Sequence, residues 1–112
     1  DELVSMKEIA EAAVFGKPDT VKGDAIIAFV TLKDGYEKSS ELIEKIKRKV
    51  RNDLGPIMVP EEIHIVNSLP KTRSGKIMRR LIRSVYLGEE YGDTSTLENE
   101  ASLNDIKSIK IR

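Results

Sequence analysis

With 112 residues, 39% of them hydrophobic and 34% charged, the chain has material for one soluble domain with a core of modest size. No apolar run approaches the length a bilayer crossing needs, no signal peptide is visible in it, and zero cysteines exclude a disulfide framework and a thiolate metal site while permitting a reducing compartment. Basic and acidic side chains balance at 19 each, but residues 1–88 hold 16 basic and 13 acidic ones while residues 89–106 hold six acidic and no basic ones, so a body suited to anionic partners precedes an acidic tail.

The chain opens on Asp1 rather than Met, and Leu3, Val4, Met6 and Ile9 recur at roughly helical spacing, so the first residues read as the middle of a helix and the chain as a fragment. Ala12 to Phe15 is a short apolar run that suits a buried strand, and Gly16, Pro18-Asp19 and Lys22-Gly23 punctuate a turn-rich loop after it. The run from Ala25 to Leu32 is β-branched and almost continuously apolar, as in a central strand covered on both faces.

After the Asp34-Gly35 turn, Ser39 or Ser40 is placed to cap a helix with Leu42, Ile43, Ile46, Val50 and Leu54 on its apolar face. Lys45, Lys47, Arg48 and Lys49 read as a solvated face, and Gly55 with Pro56 ends the helix. Glu61 to Val66 alternates enough for a strand, with Ile63 and Ile65 opposite His64 and Val66. His64, the only histidine, reads as a surface or hydrogen-bonded strand residue. A helix from Lys76 to about Leu87, with Ile77, Met78, Leu81, Ile82 and Val85 as its stripe, stops at Gly88. From Glu89 the chain reads as a surface tail, partly disordered, with Ile106, Ile109 and Ile111 as a final amphipathic turn. The sum is an α+β (α/β-like) fold, a small and roughly three-stranded sheet flanked by helices, over residues 1–88, with the tail at 89–112.

The stretch with chemistry in it is Pro70-Lys71-Thr72-Arg73-Ser74-Gly75-Lys76-Ile77-Met78-Arg79-Arg80. Pro70 biases Leu69 toward extended structure, so a preceding strand stops there. Ser74 is placed to cap a helix beginning near Lys76, and Gly75 leaves room for close approach to the backbone. That would set Lys76 beside free N–H groups and a dipole that favour an anion. A Walker A loop is excluded, because Pro70 stands where its first Gly belongs and Ile77 where a hydroxyl residue belongs.

This run resembles the C-terminal signature of AMP-forming acetyl-CoA synthetases, in the adenylate-forming acyl-CoA synthetase superfamily. Ile9-Ala10-Glu11-Ala12-Ala13-Val14, Lys22-Gly23, Ala25 to Leu32, Leu54-Gly55-Pro56 and Gly92-Asp93-Thr94-Ser95-Thr96-Leu97 are similar to that family in the same order, so the resemblance covers roughly residues 3–98. It implies the C-terminal lid domain of such an enzyme, whose N-terminal strand pair and hinge would lie outside this chain.

The resemblance further implies an acetate–CoA ligase that turns ATP, acetate and coenzyme A into acetyl-CoA, AMP and diphosphate through acetyl-adenylate. Lys76 matches the family's catalytic lysine between the acyl carboxylate and the α-phosphate, Arg51 its arginine on a coenzyme A phosphate, and Gly75 its structural loop glycine. Mg2+ would enter with ATP, and no metal is expected on this chain, where Ser5-Met6-Lys7 replaces a family Ser-His-Pro run. The N-terminal adenylation domain is the implied partner, the cytoplasm the implied location, and an acetyltransferase and a deacetylase acting on Lys76 the implied regulators. The isolated chain would be inactive and hold neither ATP nor coenzyme A tightly.

Three alternatives stay open. A propionyl- or other short-chain synthetase would carry the same residues, and a separate regulatory or split subunit would too. A nucleic-acid module on the basic helices 40–54 and 76–87 belongs to a different class. An aromatic content of 4% and the absence of net charge argue against it.

Overall fold

Leu3, Met6, Ile9 and Ala12, spaced three apart, all enter one core, but not on a helix. In the computed structural model, which describes residues 3–19, 23–90 and 102–110, Leu3–Ser5 is a single 3₁₀ turn and a strand, β1, runs Ile9–Asp19. Two tight turns, with Met6 N–H donating to the Leu3 carbonyl at 3.1 Å and Ile9 N–H to the Met6 carbonyl at 3.2 Å, reproduce the helical spacing locally. A bulge between Ile9 and Glu11 then rephases the strand, so Ile9 and Ala12 share a face despite their odd separation. The expected N-terminal helix is therefore replaced by turns and a strand. Lys22, the Gly92–Leu97 block, the acidic stretch 91–101, Ile111 and both chain ends lie outside the described residues.

The chain divides into two compact units, Asp1–Ile65 and Val66–Arg112. In the first, β1 pairs antiparallel with β2 (Gly23–Leu32), and β2 pairs parallel with β3 (Glu62–Ile65), giving a mixed sheet in the order β1-β2-β3. A parallel pair needs a crossover, and α1 (Ser40–Leu54) supplies it. The central strand is buried on both faces, as its composition predicts. Ala28 and Val30 meet Leu42, Ile46 and Val50 of α1, while Phe29 on the other face lies 5.9 Å from the Phe15 ring and 5.0 Å from His64. His64 is half-buried, with Nε2 2.8 Å from Glu62 Oε1, in keeping with a hydrogen-bonded strand histidine.

Ser39, rather than Ser40, caps α1, its hydroxyl accepting the Leu42 N–H at 3.1 Å. Gly55 closes the helix with its N–H on the Arg51 carbonyl at 3.0 Å and a φ of 97°, and Pro56 opens a 3₁₀ turn, Pro56–Met58. Leu54 departs from its expected place in the apolar face, being 50% exposed. The second unit holds α2 (Arg79–Leu87) and α3 (Ser102–Lys110) packed on each other, with Leu81, Ile82, Val85, Leu103 and Ile106 buried. Gly88, at φ 78°, ends α2 as expected, and the next residue, Glu89, donates its N–H to the Ser84 carbonyl at 2.9 Å.

Candidate active site

The segment before α2 is a small hairpin. Three backbone hydrogen bonds nest inside one another, and the outer two frame the Lys71–Ile77 bridge. Met78 N–H reaches the Pro70 carbonyl at 3.0 Å, Thr72 N–H reaches the Lys76 carbonyl at 2.9 Å, and Gly75 N–H reaches the Thr72 carbonyl at 2.8 Å. Arg73-Ser74-Gly75 is thus a three-residue hairpin loop, whose last residue takes the positive φ that such loops require, 88° at Gly75. Nothing lies within 4 Å of a Cβ built on Gly75, so the demand on it inside the chain is conformational and not steric.

This geometry corrects two expectations. Ser74 does not cap a helix; its hydroxyl lies 2.9 Å from that of Thr72. Lys76 is not at a helix N-terminus either, because α2 begins three residues later at Arg79, with Met78 in the cap position and no side-chain cap. Thr72 and Ile77 are β-branched and Gly75 adopts a positive φ without strain, so residues 71–77 satisfy their backbone groups across a hairpin before the helix starts. The anion-attracting helix dipole is therefore no part of this site.

What the hairpin does is present Lys76. Its carbonyl accepts from Thr72 N–H, and its own N–H donates to Thr72 Oγ1 at 3.2 Å, so the backbone is clamped from both sides while the side chain is exposed. The result is an exposed ammonium on a fixed base. Thr72 is the residue that sequence reasoning passed over. The signal for it was a hydroxyl four positions before the lysine with a Ser-Gly turn between.

Arg51 belongs to the other unit and stands on the last turn of α1. Its carbonyl is fixed by Gly55, and its side chain is exposed. A cation is favoured at a helix C-terminus, so the dipole stabilises the guanidinium there, and any pull on an anion comes from the fork alone. Its neighbours on α1 are not uniformly solvated, as the basic face predicted. Lys49 pairs with Asp53 at 2.9 Å, and Lys45 donates to buried Glu8. Glu8 sits below the usual carboxylate range, chiefly because of that hydrogen bond, while burial pulls the other way. Met6, where relatives carry a histidine on the resemblance, is buried in the core.

A family model described as the AMP-binding enzyme C-terminal domain matches residues 1–76, a stretch that contains Arg51, Gly75 and Lys76. The chain belongs to that family. It is 53% identical over 105 residues to 3-hydroxypropionyl-coenzyme A synthetase of Metallosphaera sedula and 53% identical over 107 residues to acetyl-coenzyme A synthetase of Methanothrix soehngenii. These alignments cover 94% and 96% of this chain but only 16% of each relative, so the domain spans a small part of the length of the synthetases it matches. Among solved structures, a Brucella canis acyl-CoA synthetase superposes at a TM-score of 0.73 with 38% identity, covering 78% of this chain and 16% of that one. Acetoacetyl-CoA synthetase from Streptomyces lividans superposes at 0.80 over 98% of this chain and 17% of its own, and at 24% identity it speaks for the fold alone. The three-stranded mixed sheet with helices is therefore the C-terminal domain fold of acyl-CoA synthetases.

Proposed function

We propose that this domain is the mobile lid of an AMP-forming acetyl-CoA synthetase and that Lys76 is its adenylation residue. In the first half-reaction the acetate carboxylate attacks the α-phosphorus of ATP and diphosphate leaves. In the second, the thiol of coenzyme A attacks the acetyl carbon and AMP leaves. The observation that supports the role of Lys76 most directly is its presentation, an exposed ammonium on a doubly clamped hairpin arm. Negative charge shifts among carboxylate and phosphate oxygens as the new P–O bond forms. A compact ammonium on a flexible stem follows that shift where a planar guanidinium would not.

Arg51 takes a phosphate of coenzyme A in the second half-reaction, its fork matching two phosphate oxygens. Mg2+ enters with ATP. Acyl selectivity belongs to the N-terminal adenylation domain, the partner of this one, a reading supported by two relatives at 53% identity whose names carry different short acids. Acetylation of Lys76 by an acetyltransferase removes the charge the first step needs, and a deacetylase restores it. No helix among the described residues is long and apolar enough to cross a membrane, and the setting of the reaction is the cytoplasm, where ATP and coenzyme A are available.

The test is Lys76→Ala in the intact synthetase. Acetate-dependent ATP–diphosphate exchange falls by about 10²–10³, the usual size for a lost transition-state contact. Transfer from preformed acetyl-adenylate to coenzyme A stays within a few fold of wild type. Equal loss in both assays, or none in exchange, overturns the assignment.

A further inference from the structure

We propose that the Asp34-Gly35 turn between β2 and α1 is a site of spontaneous isoaspartate formation in the folded protein, and that the product is a substrate for a methyltransferase that esterifies such carboxylates. Asp34 alone among the aspartates of the chain is followed by glycine, and no asparagine is. Tyr36 N–H donates to the Lys33 carbonyl at 3.3 Å across the turn, and Gly35, in its third position, takes the positive φ of 92° that a type II turn requires. Every residue from Lys33 to Ser40 is exposed. Among the described residues no hydrogen bond engages the Gly35 N–H, no hydrogen bond or ion pair engages the Asp34 carboxyl group, and nothing lies within 4 Å of a Cβ built on Gly35.

The chemistry needs these two residues and water. The Gly35 amide nitrogen gives up its proton and attacks Cγ of Asp34, one carboxyl oxygen leaves as water, and a five-membered succinimide closes. Water then adds back at one of the two ring carbonyls. Opening the Cγ–N bond restores aspartate. Opening the bond between nitrogen and the Asp34 backbone carbonyl carbon leaves the chain running through the side chain, with one extra methylene in the backbone, a free α-carboxylate and the original mass. Ring closure rotates the Asp34-Gly35 peptide plane, and a single long hydrogen bond across the turn resists that rotation, while the missing Cβ of Gly35 leaves the nitrogen open to approach. Asp53 is the contrast, because its carboxylate pairs with Lys49 at 2.9 Å and α1 fixes the backbone around it. The new α-carboxylate stands on an exposed segment, within reach of an enzyme. Methyl transfer to it from a sulfonium donor, which leaves as its thioether, gives an ester. The ester recloses to the succinimide with loss of methanol, and each hydrolysis returns part of the protein to aspartate.

The experiment ages the intact synthetase at neutral pH and physiological temperature for several weeks. It is then digested and the peptide of residues 34–38 separated, in which isoaspartate changes retention and fragmentation at constant mass. A parallel sample is treated, still folded, with a purified isoaspartate carboxyl methyltransferase and labelled S-adenosylmethionine. Isoaspartate accumulates at position 34 within about tenfold of the rate in a free peptide of the same sequence, and at least about tenfold faster than at Asp53. Label enters the folded protein in step with it, and prolonged treatment with enzyme and donor lowers the isoaspartate fraction. Asp34→Glu, whose ring would have six members, removes the signal and keeps wild-type rates of ATP–diphosphate exchange and acetyl transfer, which shows that it folds. A synthetase that stays unmodified while the free peptide ages overturns the proposal, because the turn then protects the bond. Equal rates at Asp34 and Asp53, or a signal that persists in Asp34→Glu, overturns it as well. Label that enters only after digestion refutes methylation of the folded protein.

Discussion

Lys45→Met removes one ammonium and keeps its apolar stem, and it isolates the ion pair of Lys45 with the buried Glu8. Glu8 precedes β1 with its side chain 7% exposed, whereas the Lys45 side chain that donates to it is 50% exposed. A hydrogen bond to a charged group contributes about 1.5–3 kcal/mol net, and because half of this pair stands in water we take about 1–2 kcal/mol as the loss at pH 7. The pH dependence distinguishes this from a simple packing defect. In the wild type Glu8 is held below the ordinary carboxylate value of 4.5, first by the Lys45 hydrogen bond and against the pull of burial. The pair's contribution is therefore complete above that value and is lost as pH falls through the lowered folded value. In the variant burial acts without its main opponent, so Glu8 protonates more readily and the cost of keeping it inside fades with acid. Urea denaturation of both chains from pH 7 to pH 3 should show a gap of about 1–2 kcal/mol at neutrality that closes below the carboxylate range. A gap of equal size at both ends, or none at pH 7, would refute the reasoning.

Ser39→Ala removes the acceptor for the Leu42 N–H and should lower stability to urea by about 1 kcal/mol, with Ser39→Asp recovering most of it. Thr72→Val keeps the β-branch but loses the oxygen that accepts Lys76 N–H. In the intact synthetase it should slow ATP–diphosphate exchange about fivefold, the worth of one neutral hydrogen bond, with acetyl transfer unaffected. Gly75→Ala meets no neighbour but forces an L side chain to a φ of 88°, at about 1–2 kcal/mol. It should depress exchange by about tenfold or more while leaving urea denaturation of the first unit unchanged, and equal loss of exchange and transfer would count against the hairpin as the holder of Lys76.

What was legible in the sequence divides along the range of the interactions that decide it. The central strand at 25–32 shows in composition, because burial on both faces needs an unbroken apolar run, and Ser39 and Gly55 show because caps are local chemistry. Leu3, Met6 and Ile9 were legible by their period and misread as a helix, whereas Ala12 was read as a buried strand residue and is one. A spacing of three fits a helical stripe as well as it fits two turns followed by a bulged strand, and pairing with β2 decides between them. Leu54 is the converse case, keeping the helical period one turn past the last buried contact at Val50, since periodicity does not record where the sheet beneath a helix ends. The Lys76 loop combines both kinds. Its identity came from resemblance, yet the Pro, Ser, Gly and basic residues around it read equally well as the entry to a helix or as a hairpin, and the hydrogen bond from Met78 back to Pro70 chooses the second. The consequence is physical. If a helix N-terminus presented Lys76, changing the first turn of α2 would alter adenylation. With a hairpin presenting it, sensitivity belongs to Thr72 and Gly75, and neutralising Arg79 or Arg80 at the start of α2 leaves the geometry of the lysine's backbone as it is.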